Sequence, residues 1–385
     1  MILFVAPYAG ELPERSPFLG AAQKIRFLLR LLKSIDADVV LLNSAHRVNE
    51  KRALRFDTIE LGNGELIDMV TPATLSNAWA GRSLNILQVP SIVDTVVQRY
   101  GVPRLAWFYN GYAFESRAAR RLKQRYETKL ILEFEDWHFA RNRGLNPKPI
   151  IDWYCWTRSV RSYDYAFAVN EDLQRRLQIN GVPTQLLPGV IADWIVALCE
   201  RSPPFVRPES ISVGYFGGLT REKGGEFLLE LIARAKPRTQ FVVTGKGELE
   251  GDFEKLSHRL PDRLRFLGAV SDEKLREAIA SVDVIVNPHE ENEGIFPFKV
   301  LEAVASGRLL VSAPLAMSGY DWLKDAVEFR PLNLTEFLAA IDAAGEIYEN
   351  RKTAIARAAK IAGARFGARG LGISIKSVLD TLMKA

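Results

Sequence analysis

The 385 residues contain two cysteines, Cys155 and Cys199, which excludes a disulfide framework and fits a reducing compartment. No apolar run approaches the ~20 residues of a membrane span. The opening Met1-Ile2-Leu3-Phe4-Val5-Ala6-Pro7 lacks the basic start of a signal peptide and reads as a first strand. There is no low-complexity tract, no Gly-x-Ser-x-Gly elbow and no pair of metal-ligand cysteines. His289-Glu290-Glu291 lacks the second histidine of a zinc helix motif, so no metal is implied. A net charge of +5 is too small to argue for a nucleic-acid binder. These absences predict a cytoplasmic protein.

What is present is a globular composition, 48% hydrophobic and 25% charged, long enough for two domains. Strand-like runs alternate with helical patterns, the sign of parallel sheets covered on both faces. The first series is Ile2–Ala6, Asp38–Leu42, Arg104–Tyr109, Leu130–Phe134, Tyr165–Val169 and a short strand ending at Leu187. From Val190 to Pro208 the pattern blurs, and Ser202-Pro203-Pro204 reads as a linker. A second series follows: Ser212–Phe216, Gln240–Thr244, Leu264–Leu267, Val282–Asn287 and Leu309–Val311. The fold class is therefore α/β with two doubly wound, Rossmann-like domains. Residues 1–200 form the first, 201–365 the second, and 366–385 a C-terminal helix.

Two stretches of the second domain carry chemistry. Gly217-Gly218-Leu219-Thr220-Arg221-Glu222-Lys223-Gly224 follows its first strand and opens a helix. Glycines let a backbone approach, helix amides face an anion, and Arg221 and Lys223 can neutralise a diphosphate. Asn287 to Gly307 reads as a strand end, an acidic loop, and a helix from Pro297 to Ser306 closed by Gly307. Lys299 adds charge in the first turn of that helix, and Glu302 can accept hydrogen bonds from ribose hydroxyls. In the first domain, Glu133-Phe134-Glu135-Asp136-Trp137-His138 sits at a strand's carboxyl end, where open α/β sheets bind ligands. Asp136 and His138 are either site residues or a local cap and a half-buried histidine.

The Pro-x-Lys-x-x-Glu-Ala-x-Ala-x-Gly frame from Pro297 to Gly307 resembles the donor-site signature of glycosyltransferase family 4, retaining enzymes of GT-B fold. That family has two glutamates enclosing seven residues, the first near the transferred sugar and the second on the nucleotide ribose. Glu302 matches the second. Glu293 and Glu302 enclose eight residues, so either the turn at Ile295-Phe296-Pro297 is longer by one or Gly294 takes the first position. The Gly217–Gly224 stretch resembles the family's Gly-Arg-Leu-x-x-x-Lys-Gly phosphate site. Lys223 matches directly; Gly218 stands where the family has arginine, and Arg221 can substitute. By the same resemblance Gly245 and Val270 lie near the nucleobase, and His138 and Asp136 contact the transferred sugar. The last helix is expected to cross back onto the first domain, with the two domains facing a cleft.

The resemblance implies a retaining transfer of a hexose from a nucleotide diphosphate sugar to a saccharide or lipid-linked saccharide, in surface polysaccharide or glycoconjugate synthesis. No cofactor is implied beyond that donor. Glu293, His138 and Asp136 are the catalytic candidates. Gly217, Gly218, Arg221, Lys223, Gly245, Val270, Gly294, Ile295, Phe296, Lys299 and Glu302 are the donor-binding ones. Two alternatives stay open: a GT-B sugar-nucleotide epimerase or hydrolase, and a catalytically silent subunit that only binds nucleotide sugar. One helix bears on location. Ile25, Phe27, Leu28, Leu29, Leu31, Leu32 and Ile35 cover an arc of roughly 200°, wider than a core stripe. The arc is either sandwiched between the sheet and a neighbour, the preferred reading, or laid on the inner face of an anionic membrane. The basic segment 101–150, led by Arg117, Arg120, Arg121, Lys123 and Arg125, points weakly to that second reading.

Overall fold

A computed structural model describes the chain except residues 9–18, 36, 46–53, 62–63, 73–77, 138, 140–146, 188, 202–203, 206–209, 290–297, 316–319 and 385. It divides into two compact units, Met1–Pro188 with Gly372–Ala385, and Gly189–Leu371. The stretch from Val190 to Pro208, where the sequence pattern blurs, falls inside the second unit.

In the first unit the strands are β1 (Ile2–Ala6), β2 (Val39–Asn43), β3 (Arg55–Glu60), β4 (Leu66–Thr71), β5 (Leu105–Tyr109), β6 (Lys129–Phe134), β7 (Tyr165–Ala168) and β8 (Thr184–Leu186). They form one sheet in the order β3-β4-β2-β1-β5-β6-β7-β8, parallel except for the β3–β4 pair. Its helices are α1 (Leu19–Ser34), α2 (Ala78–Tyr100), α3 (Ala113–Tyr126), α4 (Lys148–Thr157) and α5 (Glu171–Ile179). β1, β2 and β5 are buried along their whole length, as strands covered on both faces must be. The wide apolar arc of α1 is largely internal: Ile25, Leu28, Leu29, Leu31 and Leu32 are buried, and so is Lys24. A Cβ added at Gly372 would lie 3.2 Å from Leu31, so the C-terminal segment of this unit supplies a second covering layer. The sandwiched reading of that helix is the correct one.

The second unit holds β9 (Ile211–Phe216), β10 (Thr239–Thr244), β11 (Leu264–Phe266), β12 (Val284–Asn287), β13 (Leu309–Ser312) and β14 (Val327–Phe329). They make a parallel sheet in the order β11-β10-β9-β12-β13-β14. Its helices are α6 (Asp193–Arg201), α7 (Gly225–Arg234), α8 (Glu250–Arg259), α9 (Asp272–Ala280), α10 (Phe298–Ala305), α11 (Leu334–Asp342) and α12 (Ala344–Phe366); α13 (Ala368–Lys384) begins here and ends in the first unit. The chain leaves β9 toward β10 on one side and returns beyond it as β12. The crevice between β9 and β12 is thus the switch point where doubly wound sheets take ligands.

Candidate donor site at the sheet switch point

The two loops that flank the switch point are locked by contacts that exclude side chains. Gly217 donates its amide to Thr244 O at 3.1 Å and Leu219 donates to Lys246 O at 2.9 Å. A Cβ at Gly245 would come within 1.8 Å of Gly217 O, and one at Gly247 within 2.2 Å of Leu219 O. Gly224 adopts a left-handed φ of 76°, and a Cβ there would lie 2.5 Å from Pro288 O. The loop after β9 is therefore pressed onto the end of β12, and this sets Lys223 beside His289.

Four polar side chains meet here. Tyr215, buried in β9, donates its hydroxyl hydrogen to Gly218 O at 2.7 Å and accepts from Lys299 Nζ at 3.2 Å. The same ammonium sits 4.2 Å from the Tyr215 ring centroid, so the ring face shares in holding it. Burial, and then the charge of Lys223, bring the Lys299 ammonium down to about 7. His289 is 3% exposed, and burial with the charges of Lys299 and Lys223 holds it near 4, so it is neutral at pH 7. Its Nε2 is enclosed and has no hydrogen-bond partner among the described residues. Glu302, one turn after Lys299 on α10, is pushed up to about 7 by burial, with Asp272 adding to it. Phe216, Asn287, Lys299 and Glu302 line one small pocket. An ammonium held at reduced basicity by burial and by the neighbouring charge of Lys223 forms a site whose free energy improves when an anion arrives.

The other donor-site candidates fall around this core. Gly217 lies 3.5 Å, measured from an added Cβ, from the Lys299 stem. An added Cβ at Gly218 would lie 3.1 Å from Lys223 Nζ, so the lysine head lies against the Gly218 backbone. Arg221 is exposed and paired with Glu226 at 2.8 Å, and its amide donates to Glu248 at 2.9 Å. Gly245 is a packing glycine at φ 143°, its amide bonded to Gly268 O at 2.8 Å. Val270 is half-buried, one residue before the Ser271 cap of α9. Glu293, Gly294, Ile295, Phe296 and His138 lie outside the described residues. His289 and Tyr215 are additions: a histidine directly after a buried strand and a tyrosine just before a Gly-Gly turn were the signals available for them.

In the first unit the strand ends carry a second polar group. Lys24 reaches Glu133 at 2.8 Å and also pairs with Glu135, while Trp107 Nε1 donates to Glu133 at 3.2 Å. Burial opposes the Lys24 ammonium, but the two carboxylates outweigh it and raise it overall. Glu135 is pushed up to about 8 by burial, despite Lys24. Asn110, left-handed at φ 63°, accepts from the amides of Glu135 at 2.8 Å and Asp136 at 3.2 Å. Asp136 is half-buried on this edge.

Two doubly wound units of this kind make up the GT-B fold. Over the whole chain the structure is similar to sucrose-phosphate synthase from Thermosynechococcus elongatus, with a TM-score of 0.76 at 14% identity, covering 100% of this chain and 99% of that one. It is also similar to HepE of Anabaena in complex with UDP, with a TM-score of 0.67 at 16% identity over 99% of each chain. Residues 210–344 match the family model Glycosyl transferases group 1. The chain is 33% identical over 134 residues to a GDP-mannose-dependent alpha-mannosyltransferase of Corynebacterium glutamicum. It is 32% identical over 117 residues to a phosphatidylinositol N-acetylglucosaminyltransferase component of Arabidopsis thaliana. Those matches take in 35% and 29% of this chain and 30% and 26% of the relatives' own lengths.

Proposed function

We propose that the chain is a retaining glycosyltransferase that moves a hexose from a nucleotide diphosphate sugar to a saccharide or lipid-linked saccharide, in surface polysaccharide or glycoconjugate synthesis. The observation that carries this reading is the meeting of Lys223, Lys299 and neutral His289 at the β9–β12 switch point, with Glu302 one turn along. The difficult step is departure of the nucleotide diphosphate while positive charge grows on the sugar ring. Lys299 and Lys223 take up the charge of the leaving phosphates in a preorganised, partly dehydrated site. His289 Nε2 is placed to exchange a hydrogen bond with the donor, and Glu302 holds the ribose. The carboxylate beside the sugar cation is Glu293 or, if Gly294 fills that position, Asp136.

The test is incubation with labelled nucleotide sugars, with and without saccharide acceptors. Transfer that requires an acceptor supports the reading; release of free sugar alone points to a hydrolase, and binding without turnover to a silent subunit. Lys223→Ala and Glu302→Ala are each expected to weaken donor binding by roughly 1.5–3 kcal/mol with the fold intact. Unchanged donor binding in both would remove the donor-site assignment. Glu293→Gln should slow turnover far more than it weakens donor binding if Glu293 serves the transition state. If that substitution is silent, Asp136→Asn becomes the damaging one.

A further inference from the structure

Helix α4 presents its apolar residues outward. Its inner face is Asp152, Cys155 and Trp156: Trp156 stacks on Phe134 with centroids 4.7 Å apart, and Asp152 accepts from the Ala113 amide at 2.8 Å. The opposite face carries Ile150, Ile151, Trp153 and Tyr154 at positions i, i+1, i+3 and i+4, one side of a helix. They are 66%, 39%, 52% and 51% exposed. Two arginines border this face: Arg158 stacks 4.4 Å over the Tyr154 ring, and Arg161 is exposed just beyond. Neither has a carboxylate partner among the described residues.

We propose that this face docks on an anionic bilayer. Ile150, Ile151, Trp153 and Tyr154 enter the boundary between headgroups and acyl chains, and Arg158 and Arg161 meet the headgroup phosphates. Charge selects this occupant: cations with no carboxylate partner among the described residues, set beside an apolar centre, match a surface that is anionic outside and apolar beneath. Trp and Tyr are the side chains that prefer such a boundary. The four side chains expose on the order of 500 Å², short of the roughly 800 Å² per partner of a stable protein interface. The surface lies in the first unit and the lysine site in the second, so the proposal does not depend on the donor reading.

The test is co-sedimentation of the full chain with vesicles of phosphatidylcholine alone or mixed with phosphatidylglycerol. Binding is expected only to the mixed vesicles and should weaken as salt rises. Trp153→Ser with Tyr154→Ser should lower the partition coefficient about tenfold or more, and Arg158→Glu with Arg161→Glu should lower it comparably. Ile179→Ser, at a site 78% exposed on α5, should leave it unchanged. All substituted side chains are exposed, and thermal denaturation checks that each variant folds. Negligible binding to both vesicle types overturns the proposal, as does binding that none of these arginine or aromatic substitutions alters. Sedimentation velocity showing dimers that the Trp153/Tyr154 variant dissociates, without vesicle binding, would assign the face to a second copy of the chain instead.

Discussion

Lys299 is held where charge is costly, and its pH dependence runs opposite to that of most paired lysines. Unfolded, its amine has the ordinary value of 10.5; folded, it falls to about 7. Between those values the unfolded chain binds more protons, so stability contributed at this residue rises with pH from about 7 toward 10. At pH 7 the side chain is a liability to the fold. Lys299→Met is therefore expected to raise unfolding free energy by about 1–3 kcal/mol while weakening donor binding, read by thermal melts and calorimetry. Glu302 mirrors it, a carboxyl that burial raises to about 7. A bound diphosphate favours the Lys299 cation, and a ribose hydroxyl donating to Glu302 favours the carboxylate. Affinity for a nucleotide diphosphate sugar should thus be bell-shaped with its maximum near pH 7. Glu302→Gln should flatten the acid limb and Lys299→Met the alkaline limb. A flat profile in the parent protein would detach both residues from the donor.

Among the elements, the β9 and β10 loops are most sensitive to small changes. Gly224→Ala must accommodate both a left-handed backbone and the Pro288 carbonyl, and should cost about 1–3 kcal/mol in stability. Because that contact seats Lys223 beside His289, donor affinity should fall with it, which titration calorimetry at a temperature well below the melt can check. Much at this scale was legible. The apolar runs that name β1, β5, β6, β9 and β10 are buried on both faces, and burial of that kind writes itself as an unbroken hydrophobic string. The β3–β4 pair escaped, because Arg55-Phe56-Asp57-Thr58-Ile59-Glu60 is largely polar, although Asn63-Gly64 between the strands is a hairpin signal. β14, three residues long, is too short to leave a period. Around the site, Lys299 and Lys223 could be read from their positions after strands. The depression of both Lys299 and His289 could not, since it depends on a meeting of β9, β12 and α10 that only the fold brings about.

For the whole molecule, the division into two units predicts where ligand effects concentrate. A nucleotide diphosphate at a hundred times its Kd should stabilise the state that binds it by about 2.7 kcal/mol. Hydrogen exchange should slow chiefly in residues 211–224, 284–289 and 298–305, with unit-one strands such as β1 and β5 little changed. Slowing confined to the first unit would move the donor site. The C-terminal segment has its own part: Ile375 and Leu379 are buried within the first unit, and removing residues 372–385 would uncover Leu31. That truncation should lower the melting temperature by several degrees and raise aggregation, seen by scanning calorimetry and light scattering.

If the proposed donor binds here, the low basicity of Lys299 also makes the site a proton exchanger. Above pH 7 an arriving donor would draw a proton from the buffer onto Lys299; below it, Glu302 would give one up. The heat released on mixing will therefore include the ionisation heat of whichever buffer serves as the reservoir. Plotted against that ionisation heat, binding enthalpies should slope one way at pH 8, the other way at pH 6, and lie nearly level where the two residues cancel.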